Sequence, residues 1–274
     1  MAADQQKEQK TVRGSSDQKN EKKLRRIMMT VAYDGTNYCG FQVQPNGITV
    51  QEVLNRALTD LLGTETRTIG ASRTDAGVHA RGNVVVFDTT ARMGADKFAF
   101  ALNTYLPDDV KIQGSREVPP EFHPRYTETV KTYEYRILNR VFPDPTRRLD
   151  SLHWYGSLDL DAMQRAAAHI VGEHDFKSFA AAGYSSGSTI RTICEANLTK
   201  EDDLIRFRIT GNGFLYNMVR IIAGTLIEVG KGDRDADSIP EILAARDRAC
   251  AGATAPAHGL TLIGIRYPEW EGKI

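Results

Sequence analysis

Apolar residues along the chain recur with two periods, and the switches between them mark out the elements. In "TVQEVLNRALTDLLG", residues 49–63, Val50, Val53, Leu54, Ala57, Leu58, Leu61 and Leu62 fall on one face of a helix. Thr49 and Glu52 have capping-box spacing, and Gly63 supplies the stop. Shorter runs rich in β-branched and aromatic residues read as strands: "RRIMMTVAYDG", "TRTIGA", "NVVVFDT" and "DDVKIQGSREV". Between the last two, "GADKFAFALNTYL" reads as a second helix stopped by Pro107. The order is β-α-β-β-α-β.

After "PPEFHPRYTET" that order recurs. "VKTYEYRIL" is a strand, and "DLDAMQRAAAHIVG" is a helix with Asp159 near its start. "TIRTICEANLTKE" and "DLIRFRITGN" form a hairpin. "FLYNMVRIIAGTLIEVG" and "SIPEILAARDRAC" are helices, and "LTLIGIRYP" is a closing strand. The repetition lies in element order and not in residue identity. It predicts an α+β protein of two ferredoxin-like split β-α-β halves, residues 27–118 and 119–274, whose antiparallel sheets meet at a central cleft. Residues 1–26 are polar and nearly free of large apolar groups, which predicts a disordered tail.

Composition narrows the class. With 274 residues, 41% of them hydrophobic, the chain can bury a substantial core. Lys plus Arg and Asp plus Glu both number 35, so a basic surface has to be local. The local candidates are Arg25 and Arg26, Arg81, His123 to Arg125, Arg147 and Arg148, and Arg206 with Arg208. Three scattered cysteines without a CxxC fit a reduced, cytoplasmic protein. No segment has the roughly 18 clean apolar residues of a membrane span, and the N-terminus has no apolar signal-peptide run.

The densest candidate chemistry is in "GASRTDAGVHARGNVVVFDT", residues 70–89. Asp75 stands there among small residues that let a large ligand approach the backbone. Ser72, Asp75 and His79 are too close on one loop to form a relay. The six histidines make no HxH or HExxH pattern, and neither GxxxxGK[ST] nor a strand-borne GxGxxG occurs. An enzyme built from these residues works without a metal or nucleotide cofactor, through a carboxylate acting as nucleophile or base. Burial raises the pKa of such an acid unless a cation sits beside it. Arg220, set in the apolar "NMVRIIAG", needs a partner of its own, so the two are expected to pair across the halves.

These residues also carry a family resemblance. "GASRTDAGVHARGNVVVFD" closely resembles the signature loop of the A-type tRNA pseudouridine synthases. "YDGTNYCGFQVQPNGITVQEVL", "FHPRYTETVKTYEYRI", "GNGFLYNMVRIIAGTLIEVGKG" and "ATAPAHGLTL" resemble further family segments, in the family's order, over about residues 27–268. The resemblance implies conversion of uridine to pseudouridine at positions 38, 39 and 40 of the tRNA anticodon stem-loop, with no cofactor and usually by a homodimer. It implies that Asp75 is the catalytic aspartate and Arg220 its ion-pair partner. It also implies that Arg73 displaces the target base from its stack and that the Tyr133 ring packs on that base. Ser72 stands where many relatives have glycine, and Cys39 where a histidine or other polar residue is frequent. On "VKTYEYRIL", Lys131, Tyr133 and Tyr135 alternate onto one face, with Tyr133 expected at the site and Tyr135 in the core.

Overall fold

The computed structural model of the protein describes residues 23–183, 187–270 and 272. Most of the expected tail lies outside these residues. Ten strands form one continuous sheet: β1 (Arg25–Tyr33), β2 (Ile69–Gly70), β3 (His79–Thr89), β4 (Val110–Val118), β5 (Val130–Asn139), β6 (Leu152–Trp154), β7 (Gly172–Asp175), β8 (Ile190–Glu201), β9 (Leu204–Gly211) and β10 (Leu260–Arg266). The path is β4-β1-β3-β10-β5-β9-β8-β7, with β2 attached to β3 and β6 to β5. The expectation of two antiparallel sheets is therefore corrected to a single mixed sheet. The last strand, β10, inserts between β3 and β5. It runs parallel to β3 (Thr261 opposite His79) and antiparallel to β5 (Leu262 opposite Tyr133). Chain before residue 119 and chain after it thus share one hydrogen-bonded backbone ladder.

β1 opens at Arg25, two residues inside the expected tail, because both arginines are tied to neighbouring strands. Arg25 Nε donates to Glu117 Oε2 at 2.8 Å. Arg26 forks onto both Asp88 oxygens at 2.8 Å. Such bidentate pairs fix strand register as well as charge. Two of the expected RNA-facing cations are therefore internal clamps.

Among the described residues five helices pack with the sheet around one large core: α1 (Val50–Leu62), α2 (Lys97–Leu102), α3 (Leu160–Ala168), α4 (Met218–Lys231) and α5 (Ile239–Ala245). α1 follows its sequence signals closely. The Thr49 side chain accepts from Glu52 N, and Gly63 closes the helix at φ 67°. Asp159 caps α3 by accepting from Ala162 N at 2.9 Å. α2 is shorter than its pattern suggested, six residues, since chain from Asn103 onward turns to meet β4: Asn103 Oδ1 accepts from Ile112 N and its Nδ2 donates to Ile112 O. α4 is buried on nearly every face, which accounts for its almost uninterrupted apolar sequence. It begins at Met218, so "FLYN" belongs to the preceding loop. Alternation along β1 and β3 divides the core. Met29, Val85 and Phe87 face the helices, while Met28, Val84 and Val86 meet Phe122 and Tyr267 in a smaller cluster.

Candidate active site

The loop from Ala71 to Val78 connects β2 to β3 and carries Asp75. The Asp75 carbonyl accepts from Val78 N at 3.1 Å, with Gly77 at φ +77° inside the turn. That left-handed position favours glycine. The loop is held from two sides. Phe41 N donates to Thr74 O at 3.0 Å, and a Cβ on Gly40 would lie 2.8 Å from that same carbonyl. On the other side a buried network converges on Asn83 of β3. Its Nδ2 donates to Ser72 O (3.0 Å) and to Tyr33 Oη (3.2 Å), and Tyr33 Oη in turn bonds Thr74 Oγ1 at 2.7 Å. Asn83 Oδ1 accepts from Ser72 N and Val84 N. One fully buried amide therefore meets both backbone groups of Ser72, the residue before Arg73, and, through Tyr33, the side chain of Thr74, the residue before Asp75. His79 directs its ring at Gly35 N and at the carbonyl of His258, not at Ser72 or Asp75.

Arg220 reaches Asp75 from the first turn of α4. Its Nη1 lies 3.5 Å from Asp75 Oδ2, with the two side chains 17% and 19% exposed. The guanidinium is aimed by two shorter bonds: Nε donates to Ala255 O at 2.8 Å and Nη1 to Asn217 Oδ1 at 2.8 Å. Asn217 sits three residues before Arg220, at φ 59°, where the loop turns into the helix. Burial pushes the Asp75 carboxyl above the usual carboxylate range, and Arg220 pulls part of that back. The expected pair is thus present, but it is long, and burial outweighs it.

Tyr133 lies across the same cleft on β5. Its ring meets Phe214 edge-on at 5.2 Å between centroids, and its hydroxyl bonds Ser72 Oγ at 2.8 Å. Burial raises the phenol to about 12. The Tyr135 ring is in the core, and its hydroxyl donates to Pro256 O at 2.9 Å. Arg73 is exposed at the cleft and makes no hydrogen bond to another described residue. Asp75, Tyr133 and Arg73 therefore line one cleft of about 530 Å³, with Arg220 behind Asp75.

The cations of that cleft differ from those expected. Arg125 lines it; Arg81, Arg147, Arg148, Arg206 and Arg208 do not. Arg206 is instead paired with Glu201 at 2.5 Å. Lys131 and Arg191 line the cleft with Arg73 and Arg125, and among the described residues Asp75 is its single lining carboxylate. Arg191 went unnoticed because its strand reads as a plain hairpin partner. Asn217 stands in the sequence as a polar break in an apolar run, and its spacing from Arg220, one helical turn, is the signal of their contact; nothing in the sequence marks the Ala255 carbonyl.

Comparison with known proteins decides the family. A family model described as tRNA pseudouridine synthase matches residues 29–127 and 166–268, well over half of the chain. The chain belongs to that family. It is an RNA pseudouridine synthase, an isomerase. Among curated relatives, a tRNA pseudouridine synthase A from Acetivibrio thermocellus is 48% identical over 244 residues, 89% of this chain and all of the relative. Its counterpart from Ruminiclostridium cellulolyticum is 49% identical over 245 residues, with the same coverage. That from Halalkalibacterium halodurans is 48% identical over 252 residues, 92% of this chain and 95% of the relative. No helix among the described residues is long and apolar enough to cross a membrane.

Proposed function

We propose that this enzyme isomerises uridine to pseudouridine at positions 38, 39 and 40 of the tRNA anticodon stem-loop, with Asp75 as the single reacting carboxylate. The observation that carries the reading is the cleft itself: one partly buried acid, oriented by Arg220, among four cations and an aromatic ring. The relatives named tRNA pseudouridine synthase A support tRNA as the substrate.

The reaction breaks the N1–C1′ bond, turns the uracil and joins C5 to C1′; a proton leaves C5 and one arrives at N1. No atom is gained from a co-substrate. Hydrolytic glycosidases use two carboxylates to manage water and a leaving group, whereas here the leaving group stays in the pocket. Asp75 acts as nucleophile or base; Arg220 holds it ionised and aimed. Arg73, exposed at the rim, enters the helical stack in place of the extruded base. Extrusion costs a few kcal/mol, and a base stacked on an aromatic ring recovers about 1–3 kcal/mol. The Tyr133 ring suits that role, and its hydroxyl anchors the loop through Ser72.

We read residues 27–118 and 119–274 as two split β-α-β halves. The strand orders β4-β1-β3-β2 and β10-β5-β9-β8 are the same permutation of first to fourth strands, which supports this. The enzyme works in the cytoplasm, as a homodimer in which both subunits grip one tRNA. Phosphate contacts dominate binding, so affinity falls steeply with salt. The test is carbodiimide mapping of tRNA treated with the enzyme. Modification confined to positions 38–40 supports the reading, and modification elsewhere or nowhere overturns it.

A further inference from the structure

The cation cluster in the cleft is left unexplained by the pairing of Asp75 with Arg220. Lys131 lies on the cleft floor with its chain partly buried, and its ammonium has three donors. One of them reaches Ala71 O at 3.2 Å. Among the described residues no carboxylate is bonded to it. The charges that face it are Arg73 from the β2–β3 loop, Arg125 from the segment before β5 and Arg191 from β8. A buried cation gathered with three others costs folding free energy, unless an anion completes the group.

We propose that Lys131, Arg125 and Arg191 form a phosphate-binding site that holds one backbone phosphate of the RNA beside the extruded uridine, next to the Arg73 that fills the vacated stack. The inference rests on the reading of this chain as an RNA-modifying enzyme, and it deepens that reading by fixing where the strand is gripped. Guanidinium forks and an ammonium match phosphate oxygens in geometry and charge. The site lies in the same cleft as Asp75, so a phosphate bound there places the adjoining nucleotide next to the carboxylate. Arg191 is preset for this: its Nη1 donates to Ser188 O at 2.8 Å and to Ile190 O at 2.6 Å, which anchors the guanidinium.

The arrangement also couples binding to protons. Burial, then the three arginines, lowers the free Lys131 to about 8. A singly charged phosphodiester beside it opposes both effects and holds the lysine charged in the complex. Above pH 8, RNA binding takes up a proton, and affinity weakens as pH rises through that range. Tyr133 on the same strand titrates at about 12, away from this window. Cys39 also lines the cleft and is kept in every variant below.

The experiment uses the full chain and an anticodon stem-loop RNA with single neutral methylphosphonate linkages stepped past the target uridine. Affinity is read by fluorescence anisotropy. One linkage beside the target is expected to weaken wild-type binding by roughly 10- to 100-fold, the range for losing charge-assisted hydrogen bonds. In Lys131→Met the same linkage is expected to cost measurably less than in wild type, because one of the cationic partners is already gone. Equal losses at every linkage, or a full loss retained in Lys131→Met, overturn the site. Calorimetry at pH 8.5 in buffers of different ionisation enthalpy is expected to show uptake of about three quarters of a proton, from a lysine near 8. Lys131→Arg is expected to bind without that uptake; uptake unchanged in Lys131→Arg overturns the coupling and does not depend on how Lys131→Met folds. Tritium release from unmodified RNA separates the two readings. A linkage-specific loss without any release leaves the phosphate site standing and removes the isomerase reading.

Discussion

Replacing Arg220 by methionine removes the charge beside Asp75 while keeping an apolar chain in the α4 turn. At 3.5 Å a unit charge pair is worth about 1 kcal/mol in water-like surroundings and about 5 kcal/mol at an effective dielectric of about 20. Side chains 17% and 19% exposed lie between those limits. Burial already pushes the Asp75 carboxyl up, and Arg220 is the opposing influence. Without it the acid holds its proton to higher pH. The sign follows: a reaction that needs ionised Asp75 loses most at low pH and recovers as pH rises. Single-turnover tritium release at saturating enzyme removes RNA affinity, and hence Lys131, from the comparison. The deficit of Arg220→Met relative to wild type is expected to be larger at pH 6 than at pH 9, because the lost pairing raises the carboxyl by about one pKa unit per 1.4 kcal/mol. A second loss, independent of pH, comes from freeing Asp75 to swing, since Asn217 and Ala255 no longer aim a guanidinium at it. Arg220→Lys restores the charge without those two bonds and is expected to recover the pH dependence but not the full rate. A deficit of the same size at every pH, or none, refutes the reasoning.

Three further perturbations separate the roles of neighbouring groups. Tyr133→Phe removes one hydrogen bond to Ser72, worth about 1 kcal/mol, and is expected to keep turnover within about tenfold of wild type; Tyr133→Ala removes the ring as well and loses more, and equal kcat losses in both would assign the role to the hydroxyl. Asn83→Ala leaves the Ser72 carbonyl and amide without a partner in a buried site and is expected to lower stability by about 1–3 kcal/mol in urea unfolding, with a fall in kcat at unchanged pH profile. Asp75→Asn relieves a carboxylate whose folded-state pKa is raised; such a group destabilises the fold above that pKa, so the variant is expected to be more stable by about 0.5–1 kcal/mol at pH 8 and to lose that advantage as pH falls below the carboxyl's range. A lower melting temperature for Asp75→Asn at pH 8 would contradict the sign.

The helical elements were legible where the sequence supplied both periodicity and a stop. α1 has Thr49, Glu52 and Gly63 at the right spacings, and the structure uses each of them. α4 read too long, since "FLYN" is as apolar as the helix that follows. Only the positive φ of Asn217 separates them, and asparagine tolerates that conformation without announcing it. β6 and β7, three and four residues long, lacked enough alternation to register. That the two strand sets could join followed from the repeated element order, but which strands meet did not. The parallel contact of β10 with β3 spans about 180 residues of chain, and no local pattern encodes it. Asp75 and Arg220 were legible from opposite anomalies, an acid in a small-residue loop and a cation in an apolar helix. The basic surface was not. Pairs such as Arg25–Arg26 look available in sequence, yet acids on adjacent strands consume them, while Arg191 stands alone in sequence and reaches the cleft through the β8–β9 hairpin.

The most direct test of the central claim is tritium release from tRNA transcripts carrying 5-³H-uridine, with wild type and Asp75→Asn side by side. Bond formation between C5 and C1′ expels that hydrogen. Release by wild type, and none by an Asp75→Asn protein that still binds the same RNA, is the predicted result. Release by both proteins would remove Asp75 from the chemistry, and release by neither from any tRNA would contradict the proposed substrate.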